Sequence, residues 1–282
     1  MKATPEGFPF QSVLRPADRI SFGQACSEPV GLLRELVRQA DGLHATLGRL
    51  NLFVAGSYSG LLKPEHAAWF DFSSYGAFGD AAGLARAERL ALYPVHYSQL
   101  PSLLTGDLRA DVVLLQLSPP GPDGRHSLGV ASDFQLATAR HARVVVAEVN
   151  ARVPFSPHAL LPRDVRIDHF VWTDEPLVEF PRPSIDTTAE RVAAHVAGLV
   201  KNGATLQMGI GSLMEAICRA LGSHQNLGIH SGILTDGMAD LMIQGAVTNT
   251  HKGSHGGQSV VGSLLGSRRL FDFAHHNHDI CL

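Results

Sequence analysis

Two apolar runs near the middle of the chain decide the fold class. Residues 110–117 are ADVVLLQL, and residues 143–149 are RVVVAEV. Each has the length of a strand, and neither alternates strictly between apolar and polar residues, which is typical of strands covered on both faces of a parallel sheet. Between the two runs Asp133 can cap a helix that continues to residue 142. The order strand, helix, strand favours an α/β fold with largely parallel sheets.

The same alternation extends toward the amino terminus. Residues 19–22 and 50–54 are short apolar segments that predict strands, and the second ends at Gly56. Between them Pro29 is suited to open a helix, and the leucines and valine that follow recur at helical spacing. The first half of the chain therefore predicts one α/β domain.

Proline marks a boundary after the central strands. Six prolines lie between residues 151 and 184, and only residues 170–172 resemble a strand there. Proline at this density excludes long helices, so we place the domains at residues 1–183 and 184–282. Beyond the boundary the pattern predicts strands at 204–208, 227–230 and 260–265, and helices at 186–200, 212–221, 236–244 and 268–275.

Composition excludes several classes of protein. The chain has 282 residues, of which 45% are hydrophobic and 17% charged, so it can bury a large core and is not intrinsically disordered. A formal net charge of −3 argues against a general nucleic-acid binder. Three cysteines do not make a disulfide framework and suit a reducing compartment. With no signal-like start and no long apolar run, we expect a cytoplasmic protein with no membrane or nucleic-acid partner.

A glycine turn at residues 209–211 is the strongest local motif. Gly209, Ile210 and Gly211 follow a predicted strand, and Ser212 starts a predicted helix. Glycines there let a backbone approach a ligand, and the amides at the start of the helix can bind an anion. Met214 stands where a dinucleotide fingerprint has glycine or alanine, so a tight turn without a ligand is an equal alternative.

Two further segments carry candidate site residues. His230, Ser231 and Gly232 follow the predicted strand 227–230, and Asp236 is placed to cap the next helix. His230 is a candidate base or hydrogen-bond donor. Residues 252–258, KGSHGGQ, form a glycine-rich loop in which Lys252, Gly256 and Gly257 are candidates for binding a phosphate. The alternatives are a loop histidine and a plain connection.

Histidine is abundant, with 15 residues, and those at 251, 255 and 275–278 raise the question of a metal. They form neither the helical His-Glu-x-x-His pair nor a cysteine-containing zinc pattern, so we expect no metal site.

Several segments together resemble one family. They are residues 93–98 (YPVHYS), 113–120 (VLLQLSPP), 147–150 (AEVN), 206–211 (LQMGIG), 227–231 (LGIHS) and 266–273 (GSRRLFDF). In this order they resemble the acetyl-CoA hydrolase/transferase family, which includes 4-hydroxybutyrate and acetate CoA-transferases. The resemblance extends from about residue 19 to the end of the chain.

The resemblance implies two tandem CoA-transferase-like α/β domains with the active site in the cleft between them. Enzymes of this type move coenzyme A between carboxylic acids: a glutamate attacks the acyl-CoA thioester, and a glutamyl-CoA thioester forms. Amides of a glycine loop would stabilise the oxyanion, and Gly209 and Gly211 match that loop. The substrates would be an acyl-CoA and a carboxylate, and a homodimer is an expected assembly.

Two departures from the family pattern stand out. Gly232 occupies the position of the nucleophilic glutamate, so transfer would need another carboxylate, with Glu28 and Glu148 as candidates, or the chain would hydrolyse thioesters with His230 orienting water. Family members also continue beyond the equivalent of Leu282, which suggests that the second domain is truncated or completed by another polypeptide. The sequence therefore predicts a short-chain acyl-CoA transferase or hydrolase, or alternatively a non-catalytic CoA-binding or partner-dependent subunit.

Overall fold

The two central apolar runs are neighbouring strands of one sheet. In a computed structural model, which describes residues 2–282, they form β5 (Val112–Leu117) and β6 (Val144–Asn150), paired in parallel along their length. Every residue of β5 is buried. Because side chains on both faces are covered by protein, neither run needs polar alternation. The predicted α/β fold with largely parallel sheets is confirmed.

Contacts within the chain define two compact units. The first comprises Met1–His126, Asp133–Val153 and Leu161–Val178. The second comprises Glu179–Leu282 together with two short segments, Ser127–Ser132 and Pro154–Leu160. The domain boundary between residues 183 and 184 stays a prediction.

The first unit is built on seven parallel strands in the order β4-β3-β2-β1-β5-β6-β7. The remaining strands are β1 (Arg19–Phe22), β2 (Leu50–Phe53), β3 (Phe70–Ser74), β4 (Leu90–Leu92) and β7 (His169–Thr173). Its helices are α1 (Phe10–Val13), α2 (Val30–Leu47), α3 (Asp80–Arg86), α4 (Leu100–Thr105) and α5 (Gln135–His141). The strands beside β1 were predicted, whereas β3, β4 and the helices between them were not.

Helix α2 shows how sequence and packing agree. It begins at Val30, directly after Pro29, whose ring is compatible with the start of a helix. Leu32, Leu33 and Leu36 are fully buried against the sheet core. At the same end the carboxylate of Glu148 accepts hydrogen bonds from the amides of Gly31 and Leu32, at 3.3 and 2.7 Å. Glu148 thus satisfies two of the helix donors that lack partners inside the helix.

The second unit holds a four-stranded parallel sheet in the order β11-β10-β9-β8. Its elements are α6 (Thr187–Leu199), β8 (Thr205–Leu206), α7 (Ser212–Ala220), β9 (Gly228–Leu234), α8 (Asp236–Ile243), β10 (Ser259–Leu264), α9 (Arg268–Ala274) and β11 (Ile280–Cys281). Asp186 caps helix α6, since its side chain accepts a hydrogen bond from the amide of Ala189 at 2.7 Å. None of the helices in residues 2–282 is both long enough and apolar enough to span a membrane.

Two local predictions in the second unit are wrong. Strand β9 does not end at His230 but continues to Leu234, because β10 pairs with it as far as Leu264–Leu234. Asp236 does not cap α8, whose cap residue is Thr235. Instead its carboxylate accepts hydrogen bonds from the amide and the hydroxyl of Ser267, at 2.8 and 2.7 Å, and so holds the start of α9.

Candidate active site

The glycine loop is anchored to strand β9 by one serine. Strand β8 ends at Leu206, so the backbone that follows no longer pairs with β9. There the hydroxyl of Ser231, which is buried, donates to the carbonyl oxygen of Met208 at 3.1 Å and accepts from the amide of Met208 at 3.3 Å. The side chain of Ser231 thus replaces a missing ladder bond and fixes the residue that precedes Gly209.

The loop itself presents unpaired backbone donors. The amides of Gly209, Ile210 and Gly211 make no hydrogen bond to another residue within the described chain. Gly211 has a φ of 113°, a conformation that a side chain would strain, and α7 starts at the next residue. An exposed loop with free amides at the start of a nine-residue helix is suited to binding an anionic oxygen. The structure has the predicted order of strand, glycine turn and helix, and the binding of an anion there stays a prediction.

His230 and Gly232 lie on the other face of β9 from Ser231. Residues alternate between faces along a strand, so these two share the exposed face while Ser231 is buried. A Cβ atom at Gly232 would meet no atom within 4 Å, and its φ is not in the left-handed region. The position at which the resemblance implies a nucleophilic glutamate is therefore open space here.

Lys252 is engaged by the protein itself. Its ammonium donates hydrogen bonds to the carbonyl oxygens of Ile229 at 2.7 Å and Gln258 at 2.6 Å. Burial lowers the pKa of Lys252 from its ordinary value. Two of its three N–H donors are thus used in closing the loop on strand β9, which leaves one for a ligand.

The other predicted glycines of this loop are exposed. A Cβ at Gly256 or Gly257 would meet no atom within 4 Å, and Gly257 has a φ of 82°. The amide of Gly257 donates to the carbonyl oxygen of Asn249 at 3.1 Å, so it closes the loop rather than pointing to a ligand.

A cavity of about 220 Å³ lies beside the glycine loop within the second unit. Gly209, Ile210 and Gly211 line it, together with Arg182 and Asp236. His230, Ser231, Gly232 and the residues of the Lys252 loop are not among its lining residues. The loop therefore borders a cavity, and His230 lies outside its lining, on the exposed face of β9.

The arginine in this cavity is neutralised by nearby carboxylates. Arg182 forms ion pairs with Glu215 at 3.2 Å and Asp240 at 2.6 Å, and it also donates to the carbonyl oxygen of Asp236 at 3.2 Å. Sequence patterns did not single out Arg182, which lies between two prolines in a segment predicted to be a linker.

The two alternative carboxylates, Glu28 and Glu148, are both buried in the first unit. Glu148 caps α2, and burial raises its pKa to about 7. Glu28 accepts hydrogen bonds from the hydroxyl of Ser57 at 2.9 Å and from the amide of Tyr58, and burial raises its pKa to about 7 as well. Since each carboxylate is enclosed and occupied by donors of the protein, neither is available to attack a thioester.

One histidine near the site was missed as a functional residue. The ring of His255 packs edge to face on the ring of His230, with ring centroids 6.2 Å apart and planes at 87°. The sequence suggested His255 only as a metal ligand. Within residues 2–282, no group of three or more metal-ligating side chains is assembled.

Comparison with known proteins identifies the family. The model of the acetyl-CoA hydrolase/transferase N-terminal domain matches residues 10–159, more than half of the chain. The chain belongs to this family. The resemblance inferred from the sequence motifs is therefore confirmed.

Individual relatives of this family member are CoA transferases. 4-Hydroxybutyrate coenzyme A transferase of Clostridium kluyveri is 32% identical over 261 residues, which are 92% of this chain and 60% of that enzyme. Succinyl-CoA:cyclohexane-1-carboxylate CoA transferase of Geobacter metallireducens is 32% identical over 65% of this chain and 42% of its own length. The chain thus spans less than two thirds of the length of each of these two relatives.

Solved structures show the same fold. RipA from Yersinia pestis superposes with a TM-score of 0.90 at 27% identity, covering 99% of this chain and 66% of RipA. 4-Hydroxybutyrate CoA-transferase from Porphyromonas gingivalis gives a TM-score of 0.76 at 29% identity, covering 96% of this chain and 64% of that one.

Proposed function

We propose that this protein acts on short-chain acyl-CoA thioesters such as acetyl-CoA, as a CoA-transferase or as a hydrolase. The observation that carries the proposal is the loop of Gly209, Ile210 and Gly211, whose free amides are held in place by Ser231. Fixed amides of this kind stabilise the negative charge that develops on a thioester carbonyl oxygen during attack. Membership of a family whose relatives are CoA transferases supports the same substrate class.

The proposed site divides the work between two groups of residues. The loop amides bind the thioester end of the substrate, and His230 on β9 is the candidate acid–base group. Ser231 acts by fixing the loop, because its hydroxyl is occupied by Met208 and is not free to attack. Gly256, with the remaining donor of Lys252, is the candidate for contact with the phosphates of coenzyme A, whereas the amide of Gly257 is occupied in closing the loop. A carboxylic acid is the proposed second substrate, and no metal is required.

Gly232 favours a second candidate function. Transfer through an enzyme-bound thioester requires a carboxylate, and neither Gly232 nor the enclosed Glu28 and Glu148 provides one. The alternative is a non-catalytic CoA-binding subunit, or one that is active only with a partner polypeptide. A cytoplasmic location and a homodimer are part of the same proposal.

One assay series separates these possibilities. The purified chain is mixed with acetyl-CoA, with and without a set of short carboxylates, while free thiol and new acyl-CoA species are followed, and CoA binding is measured by calorimetry. Thiol release or CoA exchange supports the enzyme. CoA binding without turnover of any acyl-CoA supports the non-catalytic subunit, and the absence of both contradicts the proposal.

A further inference from the structure

Two histidines stand together on the open face of strand β9. The rings of His230 and His255 are perpendicular, with their centroids 6.2 Å apart. Both side chains are exposed, and neither ring makes a hydrogen bond to another residue within the described chain. Two adjacent imidazoles whose nitrogens are all unpaired can both bond to the same water molecule or substrate atom.

His255 is held in this place by a tightly closed loop. The ammonium of Lys252 joins the loop to strand β9, through the carbonyl oxygen of Ile229. The side chain of Asn249, which is buried, accepts from the amide of Ile229 at 2.9 Å and donates to the hydroxyl of Ser259 at 3.0 Å. Loop 249–258 is thereby tied to β9 and to β10, on both sides of His255.

The backbone at His255 carries a cost that a glycine would avoid. Its φ is 53°, in the left-handed region that is unfavourable for residues with a Cβ atom, although glycines occupy the next two positions. Histidine adopts this region more often than most residues with a Cβ atom, and six other non-glycine residues that the structure describes have a positive φ. His255 adopts this conformation, and its imidazole lies beside that of His230.

The face next to the histidine pair is bare. Gly232 follows His230 on this face, with open space where its side chain would be. On the neighbouring strand Gly262 lies beside Gly232, and a Cβ there would come within 2.9 Å of the carbonyl oxygen of Gly232. Glycine at 262 therefore accommodates the close approach of β10 to the backbone of β9, whereas Gly232 leaves open space on the face that carries His230.

We infer that His230 and His255 together hold and activate the water that hydrolyses an acyl-CoA thioester, so that this chain is a thioesterase. The inference rests on the proposed function, namely that the site binds acyl-CoA, and it names the reaction. Water takes the place of the glutamate that Gly232 does not supply.

The step balances without any further reactant. The water oxygen bonds to the thioester carbonyl carbon while one imidazole takes the proton, and the carbonyl π electrons move to the oxygen to give the oxyanion of a tetrahedral intermediate. The C–S bond then breaks, the electron pair leaves with sulfur, and the imidazolium returns its proton to give the thiol of coenzyme A. The products are a carboxylic acid and free coenzyme A.

The decisive experiment compares His255→Gln and His230→Gln with His251→Gln as a matched control. His251 lies on the same loop, but its ring packs against Gly203. Thiol release from acetyl-CoA is measured together with CoA affinity and thermal unfolding. We expect kcat to fall roughly 10²- to 10⁴-fold in the first two variants, the usual contribution of acid–base catalysis, with CoA affinity unchanged. The control keeps the wild-type kcat.

A second variant guards against a purely structural effect. His255→Gly removes the ring and relieves the left-handed strain, so it folds at least as well as the wild type. Added imidazole should restore its thiol release, which a merely structural role would not predict.

The outcomes distinguish the inference from the function on which it rests. Wild-type thiol release that persists in His255→Gln overturns the inference alone. CoA binding without hydrolysis by the wild type also overturns it and supports the non-catalytic subunit. If the wild type neither binds CoA nor turns over acetyl-CoA, both the inference and the proposed function are contradicted.

Discussion

The ammonium of Lys252 donates a hydrogen bond to the carbonyl oxygen of Ile229 at 2.7 Å, one residue before His230. Its stem lies against Gly228, where a Cβ would come within 2.6 Å of the lysine Cγ. A second bond at 2.6 Å runs to the carbonyl oxygen of Gln258. One cation therefore joins the strand that carries His230 to the loop that carries His255.

Lys252→Met tests this link, because methionine keeps an unbranched apolar stem but has no N–H donor. We expect the free energy of unfolding to fall by about 1–3 kcal/mol, as for other lost bonds to a charged group. Thiol release should fall as the loop loosens, and CoA affinity should fall because the remaining N–H donor of Lys252 is lost. Urea denaturation and calorimetry measure these quantities, with the exposed Lys201→Met as control. Unchanged stability would contradict the role of Lys252 in joining the loop to the strand, and unchanged CoA affinity would contradict its contact with the phosphates.

Ser231→Ala tests the anchor of the glycine loop. The change leaves the amide and the carbonyl of Met208 without the hydroxyl that bonds both. The expected loss in the free energy of unfolding is about 1–3 kcal/mol, and kcat falls because the loop amides are no longer fixed. Hydrogen exchange followed by mass spectrometry should become faster at residues 209–211. Unchanged exchange there, with the exposed Ser223→Ala as reference, would contradict the anchoring role.

Gly232→Glu tests whether the rest of a transferase site is present. The open space around Gly232 accepts a side chain, so the variant should fold like the wild type. A carboxylate at this position supplies the missing nucleophile, and we expect CoA exchange between acetyl-CoA and added carboxylates. Mass spectrometry should detect an enzyme–CoA adduct. Gly232→Gln, of equal size without the carboxylate, is the control, and equal activity in the two variants would refute the prediction.

Glu28 makes stability depend on pH. Ser57 has one hydroxyl proton but lies within hydrogen-bond distance of Glu28, at 2.9 Å, and of Asp80, at 3.2 Å. The hydroxyl of Ser57 donates to Glu28, but burial outweighs this bond and raises the pKa of Glu28 from 4.5 to about 7. Because its pKa is raised, the stability that Glu28 contributes to the folded state is complete below pH 4.5 and is lost as the pH rises through about 7.

Glu28→Gln removes this dependence. Glutamine has the size of the acid but does not titrate, and its amide oxygen can still accept from the amide of Tyr58. Between pH 4.5 and 8 the wild type should lose about 3 kcal/mol more of its free energy of unfolding than the variant does. Urea denaturation across this range measures the difference, and the exposed Glu65→Gln provides the reference. Equal pH profiles for Glu28→Gln and the wild type would contradict the prediction.

Much of the fold follows from local sequence. The runs that became β5 and β6 are apolar on both faces, so they predict buried parallel strands wherever their partners lie. Pro29 and Asp186 locate the starts of α2 and α6, because helix starts depend on one or two residues. The strands β3 and β4 were missed, since their short segments resemble loops until neighbouring strands pair with them.

The candidate site was predictable only in part. The turn at Gly209–Gly211 has a local signature, because glycines between a strand and a helix are needed whatever the rest of the chain does. The point at which β9 ends has no such local signature. The strand continues past His230 to Leu234 because it pairs with β10 over those residues.

The sequence alone determined the family, the α/β class, the glycine turn and the loss of a carboxylate at Gly232, because each depends on residue types in chain order. Only the tertiary structure decided that Lys252 bonds to backbone carbonyls and that His255 packs on His230. The two histidines are 25 positions apart in the chain, on a strand and on a loop. Their contact exists because strand pairing and loop closure bring those segments together, and no pattern along the chain encodes that distance.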